Sequence, residues 1–236
     1  VAKLDEIRQT VVATSQVPLY VNDPVAVTAE GTPVRIVRNA ETNLGDLCAD
    51  AYRALSNADI AFVNGGGIRK QIEAGDITLD DIYSVHPFGN TMCVIRVTGQ
   101  QVLDALEWGA RAVPSENGGF LQVSGLTYEI HTGIASSAEK DENGMFTRVS
   151  GEYRVKNVMV GGQPLELDKT YTLASHNYML LGHGDGYTMF DGCEVLGEDM
   201  MVDNQVLITY ITTTLGGVVG EQYANPYGDG RIVAVE

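Results

Sequence analysis

Residues 59–71 read DIAFVNGGGIRKQ, a short apolar run followed by an asparagine, three consecutive glycines and an arginine. The apolar run predicts a buried strand, and the glycines predict a loop at its end. Glycine permits a positive φ and a close approach of the backbone to another group. Three in succession exceed what an ordinary turn requires. One interpretation is therefore a loop that wraps a ligand, with Asn64 and Arg69 as its polar groups; the alternative is a loose turn after a strand.

The composition is that of a globular protein with a strong negative charge. The chain has 236 residues, with 31 acidic and 15 basic side chains and a formal net charge of −16. Such a charge repels nucleic-acid polymers at long range, but it still allows a small anion to be held by local arginines. No stretch approaches the roughly 18 consecutive apolar residues of a membrane span, so no transmembrane segment is predicted.

Both the start of the chain and its cysteines limit the interpretation further. The opening VAKLDEIRQT has neither an initiator methionine nor an apolar signal core, so we expect the chain to be a fragment of a longer protein. Cys48, Cys93 and Cys193 show no CxxC spacing. This pattern favours buried apolar roles over a metal site or disulfides.

Hydrophobic periodicity predicts helices and strands without strict βαβ alternation, which indicates a single α+β domain. Residues 1–20 are predicted to be helical. Asn43 and Asp203 are the predicted N-caps of two later helices, and Thr98 with Gln101 forms a predicted capping box. Strands are predicted in the segments DIAFV, MCVIRV, LQVSGLTYEI, VKNVMVGGQPLE, KTYTLASHNY and GRIVAVE.

A family resemblance is carried by six stretches in order: RNAETNLGDLCADA, NGGGIR, VHPFGNT, GGFLQVSGL, GHGDGYTMF and the final GRI. Together they resemble the C-terminal domain of the 5′-nucleotidase family, the secreted and periplasmic metal-dependent nucleotide phosphohydrolases. Residues 31–236 are accordingly identified as the nucleotide-binding domain. Residues 1–30 are interpreted as an N-terminal helix and lead-in from a missing upstream catalytic domain.

The resemblance implies that the glycine loop lies against the nucleoside of a bound nucleotide. Gly67 belongs to this loop, and Asn64 is expected to hydrogen-bond the base. Arg69 is expected to reach the sugar or phosphate side, and Arg38 to supply a second cation. Arginine suits this role because its planar guanidinium donates to two oxygens at once.

Two aromatic residues and one aspartate complete the implied site. Phe88 and Tyr178 match the rings that sandwich the base, and Asp185 matches the aspartate that accepts hydrogen bonds from ribose hydroxyls. The chain reads GHGDGY where family members often have GGDGY. The extra His183 leaves the register between Tyr178 and Asp185 open by about one residue.

Each of these residues also has a purely structural interpretation. Phe88 and Tyr178 are alternatively core aromatics, the most common role of such rings. Arg38 is alternatively an ion-pair partner of Glu41, and Asp185 alternatively makes a turn between its two glycines.

The resemblance further implies that catalysis resides in an N-terminal metallophosphatase domain that holds two divalent metal ions. None of the four histidines lies in a motif of that domain: His86, His131, His176 and His183. We therefore predict no catalytic residue, no metal site and no cofactor in this chain, and no activity of the chain alone.

The function expected from the resemblance is substrate binding and specificity in an exported 5′-nucleotidase-like hydrolase. Its expected partners are a nucleotide or nucleoside and the N-terminal domain of the same protein. One alternative is the corresponding domain of a 2′,3′-cyclic-nucleotide phosphodiesterase/3′-nucleotidase or of a nucleotide-sugar hydrolase. A second alternative is a nucleoside-binding module without catalysis.

Overall fold

The computed structural model describes residues 2–236. The helices are α1 (Ala2–Arg8), α2 (Asn43–Ser56), α3 (Leu79–Val85), α4 (Gly99–Ala110), α5 (Asn177–Leu180) and α6 (Asp203–Thr209). The strands are β1 (Val11–Ser15), β2 (Ile60–Asn64), β3 (Gly75–Thr78), β4 (Met92–Thr98), β5 (Leu121–Ser124), β6 (Leu126–His131), β7 (Ala138–Lys140), β8 (Phe146–Val149), β9 (Val155–Val160), β10 (Gln163–Pro164), β11 (Thr170–His176), β12 (Glu194–Gly197), β13 (Val218–Val219) and β14 (Ile232–Val235). The predicted α+β fold is confirmed.

A five-stranded sheet with the strand order β12-β4-β11-β2-β5 forms the centre of the molecule. The predicted DIAFV strand is its β2, and every residue of β2 is buried. Ile60 and Phe62 pack into one core, while Ala61 and Val63 pack into another, because successive side chains of a strand point to opposite faces. Helices α2, α3 and α6 cover one face, and α4 with a second sheet covers the other.

The strand directions decide where the loops of this sheet meet. β11 runs parallel to β2 and antiparallel to β4, and β5 runs antiparallel to β2. The ends of β2 and β11 therefore lie at the same edge as the starts of β4 and β5. That edge carries the segments predicted to bind a ligand.

The remaining strands form three smaller sheets. Their orders are β10-β9-β6-β14, β13-β1-β3 and β7-β8. Gly125 separates β5 from β6, and Gly161 with Gly162 forms the turn between β9 and β10, as predicted. The capping box at Thr98 and Gln101 is also confirmed.

The predicted helix over residues 1–20 is wrong beyond Arg8. Strand β1 follows, and it pairs with both β3 and β13. From Val12 onward its burial alternates, with Ala13 and Ser15 buried and Val12 and Thr14 only partly buried, which is the period of a strand and not of a helix. The structure therefore ties this part of the chain to the rest of the domain.

Two predicted N-caps are displaced by one residue. Helix α2 is capped by Thr42, whose hydroxyl accepts the N–H of Gly45, while the Asn43 amide bonds the backbone of neighbouring segments. The residue before α6 is Val202, and the carboxylate of Asp203 accepts backbone N–H groups instead. Both side chains form hydrogen bonds to backbone groups that are distant in sequence, and neither caps its helix.

Arg231, immediately before β14, lies in a group of acidic side chains. Its guanidinium donates to Asp50 at 2.7 and 2.9 Å and to Asp229 at 2.9 Å, and its Nε lies 3.6 Å from Asp46 Oδ1. Burial, with the nearby Glu41 charge, raises the pKa of Asp46 to about 9 despite the Arg231 charge. One guanidinium thus faces several carboxyl groups, and Asp46 keeps its proton at neutral pH.

Replacing Asp46 with asparagine, which mimics a protonated carboxyl, is expected to remove part of the pH dependence of stability. The folded pKa lies above the ordinary value of 3.8, so the contribution of this proton is fully present below pH 3.8 and is lost as pH rises toward 9. Between about pH 5 and about pH 9, the free energy of unfolding should fall more steeply for the wild type than for Asp46→Asn. Urea unfolding across that range measures it, with the exposed Asp76→Asn as control. Equal slopes for wild type and Asp46→Asn would contradict the assignment.

Candidate functional site

One cleft of about 410 Å³ opens at the sheet edge described above. Its size falls in the range typical of small-molecule sites. The cleft is lined by all seven residues predicted from the sequence: Arg38, Asn64, Gly67, Arg69, Phe88, Tyr178 and Asp185. Gly66, Asn90 and Gly118 line it too and were not predicted. The roles of these residues toward a ligand remain predictions.

The topology of the sheet explains why distant segments meet here. Asn64 is the last residue of β2, and Tyr178 lies in α5 directly after the parallel strand β11. Phe88 lies shortly before β4, whose first residue Met92 pairs with His176 at the end of β11. Each of these side chains therefore reaches the same edge from a different part of the sequence.

The glycine loop owes its composition to contacts with the protein's own backbone. A Cβ on Gly65 would lie 2.1 Å from the carbonyl oxygen of Val37, and one on Gly66 would lie 2.9 Å from that of Gly118. Both distances are shorter than any side chain tolerates. The glycines let the loop pack against these two segments, which places Arg38 and Gly118 beside it. None of the three glycines needs a positive φ.

The two aromatic residues are surface groups. Phe88 is 60% exposed and Tyr178 is 44% exposed, so their interpretation as core aromatics is wrong. The guanidinium carbon of Arg69 lies 5.8 Å from the centroid of the Phe88 ring. The cleft thus offers exposed aromatic faces together with a positive charge.

Among residues 2–236, no carboxylate lies within 4.0 Å of the guanidinium of Arg38 or Arg69. The predicted alternative of an Arg38–Glu41 ion pair is wrong, because the buried Glu41 carboxylate accepts N–H groups from residues 229, 230 and 232, where β14 begins. Burial, with the neighbouring charges of Arg35 and Arg69, lowers the pKa of Arg38. In a chain of net charge −16, this cleft keeps two arginines available for an anionic ligand.

Asp185 is held from both sides. The Asn64 Nδ2 donates to its Oδ2 at 2.6 Å, and the Tyr178 hydroxyl donates to its Oδ1 at 3.2 Å. Asp185 has a left-handed backbone with φ of 56°, a conformation that costs energy for a non-glycine residue and is common at functional sites. Because each carboxylate oxygen accepts more than one hydrogen bond, Asp185 still has acceptor capacity for a ligand.

Two buried histidines support the cleft from below. His176 Nε2 lies 2.8 Å from Asn64 Oδ1, and His86 Nδ1 lies 3.2 Å from the carbonyl oxygen of Gly67. Burial lowers the pKa of each to about 4, with the His86 charge as a second cause for His176. Sequence reasoning did not find these contacts. Each histidine stands two residues before a predicted aromatic, but that spacing alone does not indicate a hydrogen bond.

Within the described part of the chain, one group of acidic side chains has oxygens close enough to share a cation, namely Glu41, Asp46 and Asp229. Its chemistry does not fit the dinuclear metal centre of a phosphohydrolase. Arg231 already supplies positive charge there, and the Glu41 oxygens accept backbone N–H groups. Arg231 and backbone N–H groups hold these carboxyl groups, Asp229 is exposed, and none of the three lines the cleft.

The family model described as "5'-nucleotidase, C-terminal domain" matches residues 11–192, well over half of the chain. This chain belongs to that family. The match begins inside residues 1–30, at the start of β1. Among residues 2–236, no helix combines the length and apolar character needed to cross a bilayer.

Individual relatives of this 5′-nucleotidase C-terminal domain agree with the family match. The chain is 36% identical over 203 residues to the trifunctional nucleotide phosphoesterase protein YfkN of Bacillus subtilis, covering 84% of this chain and 13% of that protein. It is 34% identical over 176 residues to a 5′-nucleotidase of Vibrio cholerae, covering 75% and 28% respectively. The chain therefore spans less than a third of the length of either relative.

A solved structure gives the same result at the level of the fold. The 5′-nucleotidase precursor from Thermus thermophilus superposes with a TM-score of 0.79 at 30% sequence identity. The match covers 100% of this chain and 41% of that one. The present domain accordingly has the fold of one part of a larger nucleotidase.

Proposed function

We propose that this domain binds the nucleoside part of a nucleotide and sets the substrate specificity of an exported, metal-dependent 5′-nucleotidase-like hydrolase. One observation carries the proposal. A single cleft combines two exposed aromatic rings, an aspartate with free acceptor capacity and two arginines that have no carboxylate partner among residues 2–236. Aromatic rings suit a base, an aspartate suits a sugar diol, and arginines suit a phosphate.

In the proposed complex, the base stacks between Phe88 and Tyr178. Stacking on one aromatic side chain contributes roughly 1–3 kcal/mol per base and is tolerant of base identity, because every base has a π-face. A site of this kind is expected to accept more than one nucleobase. The remaining Nδ2 hydrogen of Asn64 is the group available to the base edge from the floor of the cleft.

Arg38 and Arg69 face the phosphate or the sugar, and Asp185 accepts hydrogen bonds from the ribose hydroxyls. In the whole protein, two divalent metal ions held by the N-terminal domain would activate the attacking water. This chain contributes binding and orientation, and it leaves the chemistry to that partner domain.

A second candidate uses the same cleft. The relative named as a trifunctional nucleotide phosphoesterase favours a whole protein with more than one phosphoesterase activity on nucleotides. A 2′,3′-cyclic-nucleotide phosphodiesterase/3′-nucleotidase is the corresponding activity. The two candidates differ in how the bound nucleoside is turned toward the metals, and they share the ribose contact tested next.

Replacing Asp185 with alanine is expected to weaken binding of adenosine by about tenfold or more, since a carboxylate hydrogen bond contributes roughly 1.5–3 kcal/mol. Binding of 2′,3′-dideoxyadenosine should change much less, because that ligand has no diol to donate. Isothermal titration calorimetry measures both. Asp168→Ala, in the exposed segment before β11 and away from the cleft, is the control and should leave both affinities unchanged. Equal losses for the two ligands would contradict the ribose contact.

The isolated chain is expected to release no phosphate from AMP in the presence of Mn²⁺, Zn²⁺, Co²⁺ or Ca²⁺. Binding without an activated water gives no rate, however tight the complex is. Phosphate release is followed against a blank, and fusion to a metallophosphatase domain of a relative should restore it. Metal-dependent turnover by the chain alone that disappears in His176→Ala or His183→Ala would overturn the assignment of chemistry to the partner domain.

A further inference from the structure

We propose that His176 is a positioning residue of the cleft, whose Nε2–H fixes the amide of Asn64 and through it the carboxylate of Asp185 in the orientation that a ribose diol requires. The inference rests on the proposed nucleoside site and extends it to a residue that is buried beneath that site. His176 has only 3% of its surface exposed, so its effect on a ligand must pass through the cleft residues that it contacts, Asn64 by a hydrogen bond and Tyr178 by ring packing.

The orientation of the Asn64 amide follows from its two neighbours. Its Nδ2 lies 2.6 Å from Asp185 Oδ2, and its Oδ1 lies 2.8 Å from His176 Nε2. In the reversed orientation the amide oxygen would face a carboxylate oxygen, so two acceptors would repel each other. Asn64 Oδ1 therefore needs a donor, and that donor is Nε2–H of His176. The proton of the neutral ring is thereby assigned to Nε2 and not to Nδ1.

The surroundings of the His176 ring favour the neutral tautomer with its proton on Nε2. Within the described residues, the buried Nδ1 of His176 has no hydrogen-bond partner, so a second proton there has no acceptor. The ring packs between Tyr52 and Tyr178, with centroids 6.4 and 5.9 Å away. Burial, with the nearby His86, lowers the pKa of His176 to about 4. His176 is therefore a neutral donor at physiological pH.

The same chain of hydrogen bonds reaches the ligand side of the cleft. Asn64 holds one oxygen of Asp185, and the Tyr178 hydroxyl holds the other. These two bonds fix the plane of a carboxylate that sits on a left-handed backbone. A carboxylate that is already oriented loses less freedom when a ligand binds. Without His176 the Asn64 amide is free to rotate, and Asp185 loses the more rigid of its two supports.

Two substitutions separate a positioning role from a general structural one. His176→Phe keeps a ring of similar size and removes the donor, whereas His176→Gln keeps a side-chain N–H. We expect His176→Phe to weaken adenosine binding about tenfold, the loss of one buried hydrogen bond, and to leave 2′,3′-dideoxyadenosine within about twofold. His176→Gln should recover most of the adenosine affinity. Calorimetric titration of each variant, with its melting temperature recorded, gives these values.

Equal weakening for both nucleosides, or no weakening in His176→Phe, would overturn the positioning role. A second measurement on the wild-type chain decides the role independently of ligand. Side-chain ¹⁵N NMR should show the His176 ring as the neutral Nε2–H tautomer, and the Asn64 amide signals should shift in His176→Phe. An Nδ1–H tautomer, or unchanged Asn64 signals, would overturn the inference even if nucleosides bind. A wild-type chain that binds neither nucleoside would instead refute the proposed function, and the NMR result would still decide the contact.

Discussion

Replacing Phe88 with alanine should weaken adenosine binding by about 10- to 100-fold, because one face of the base loses its stacking partner, which contributes roughly 1–3 kcal/mol. The ring is 60% exposed and lies outside both hydrophobic cores, so the substitution should leave the fold intact. Calorimetric titration with adenosine, together with a thermal melt of each protein, measures the two effects separately.

Two further variants make this test specific. Phe88→Tyr keeps an aromatic face and should bind adenosine nearly as well as the wild type. Tyr83→Ala removes an aromatic side chain that is 39% exposed on α3 and does not line the cleft, so it should not change affinity. A Phe88→Ala protein that binds as well as Tyr83→Ala would show that the ring is not a stacking surface.

Replacing Arg231 with methionine should lower the free energy of unfolding by about 3–5 kcal/mol, because it leaves the mostly buried Asp50 carboxylate without its counter-charge. Arg231 is only 14% exposed, and its guanidinium makes two hydrogen bonds to Asp50 as well as reaching Asp229 and Asp46. Lysine should restore only part of the loss, since an ammonium group cannot reproduce the two parallel bonds to Asp50. Urea unfolding monitored by circular dichroism gives the values.

The matched control is an ion pair on the surface. Arg148, with a side chain that is 70% exposed, pairs with Glu139 at 2.7 Å in the hairpin of β7 and β8. Arg148→Met should cost less than about 1 kcal/mol, the usual range for exposed pairs. If Arg231→Met costs no more than that, the Arg231–Asp50 pair contributes no more to stability than an exposed ion pair, and its assignment as a buried pair is wrong.

Local sequence patterns were enough to predict those helices and strands whose conformation depends on neighbouring residues in the sequence. The apolar run of β2 and the capping box of α4 depend on neighbouring residues alone, and both are confirmed. The start of the chain was misjudged because β1 is stabilised by β3 and β13, which are distant in sequence. Asn43 and Asp203 were misassigned as caps for the same reason, since remote backbone groups compete for their side chains.

In the candidate site, too, contacts between residues distant in sequence could not be predicted from local patterns. Its seven predicted members came from a resemblance spread over the chain, and no local pattern places Phe88 beside Arg69 or Asp185 beside Asn64. The bond from Asn64 to Asp185 spans 121 positions, and the one from His176 to Asn64 spans 112. Such pairs follow from the order of strands in the sheet, which periodicity does not reveal. The buried histidines were missed for that reason.

The crowding around the glycine loop limits how this domain can be redesigned or can diverge. At Gly65 and Gly66 an added methyl group would strike main-chain oxygens, which cannot move aside as a side chain can. The glycine backbone beneath the cleft is thus closed to variation at these two positions, and selectivity for one base over another has to change at the side chains that line the cleft. A library for altered base preference should therefore randomise Phe88, Asn90 and Tyr178, and leave the three glycines untouched.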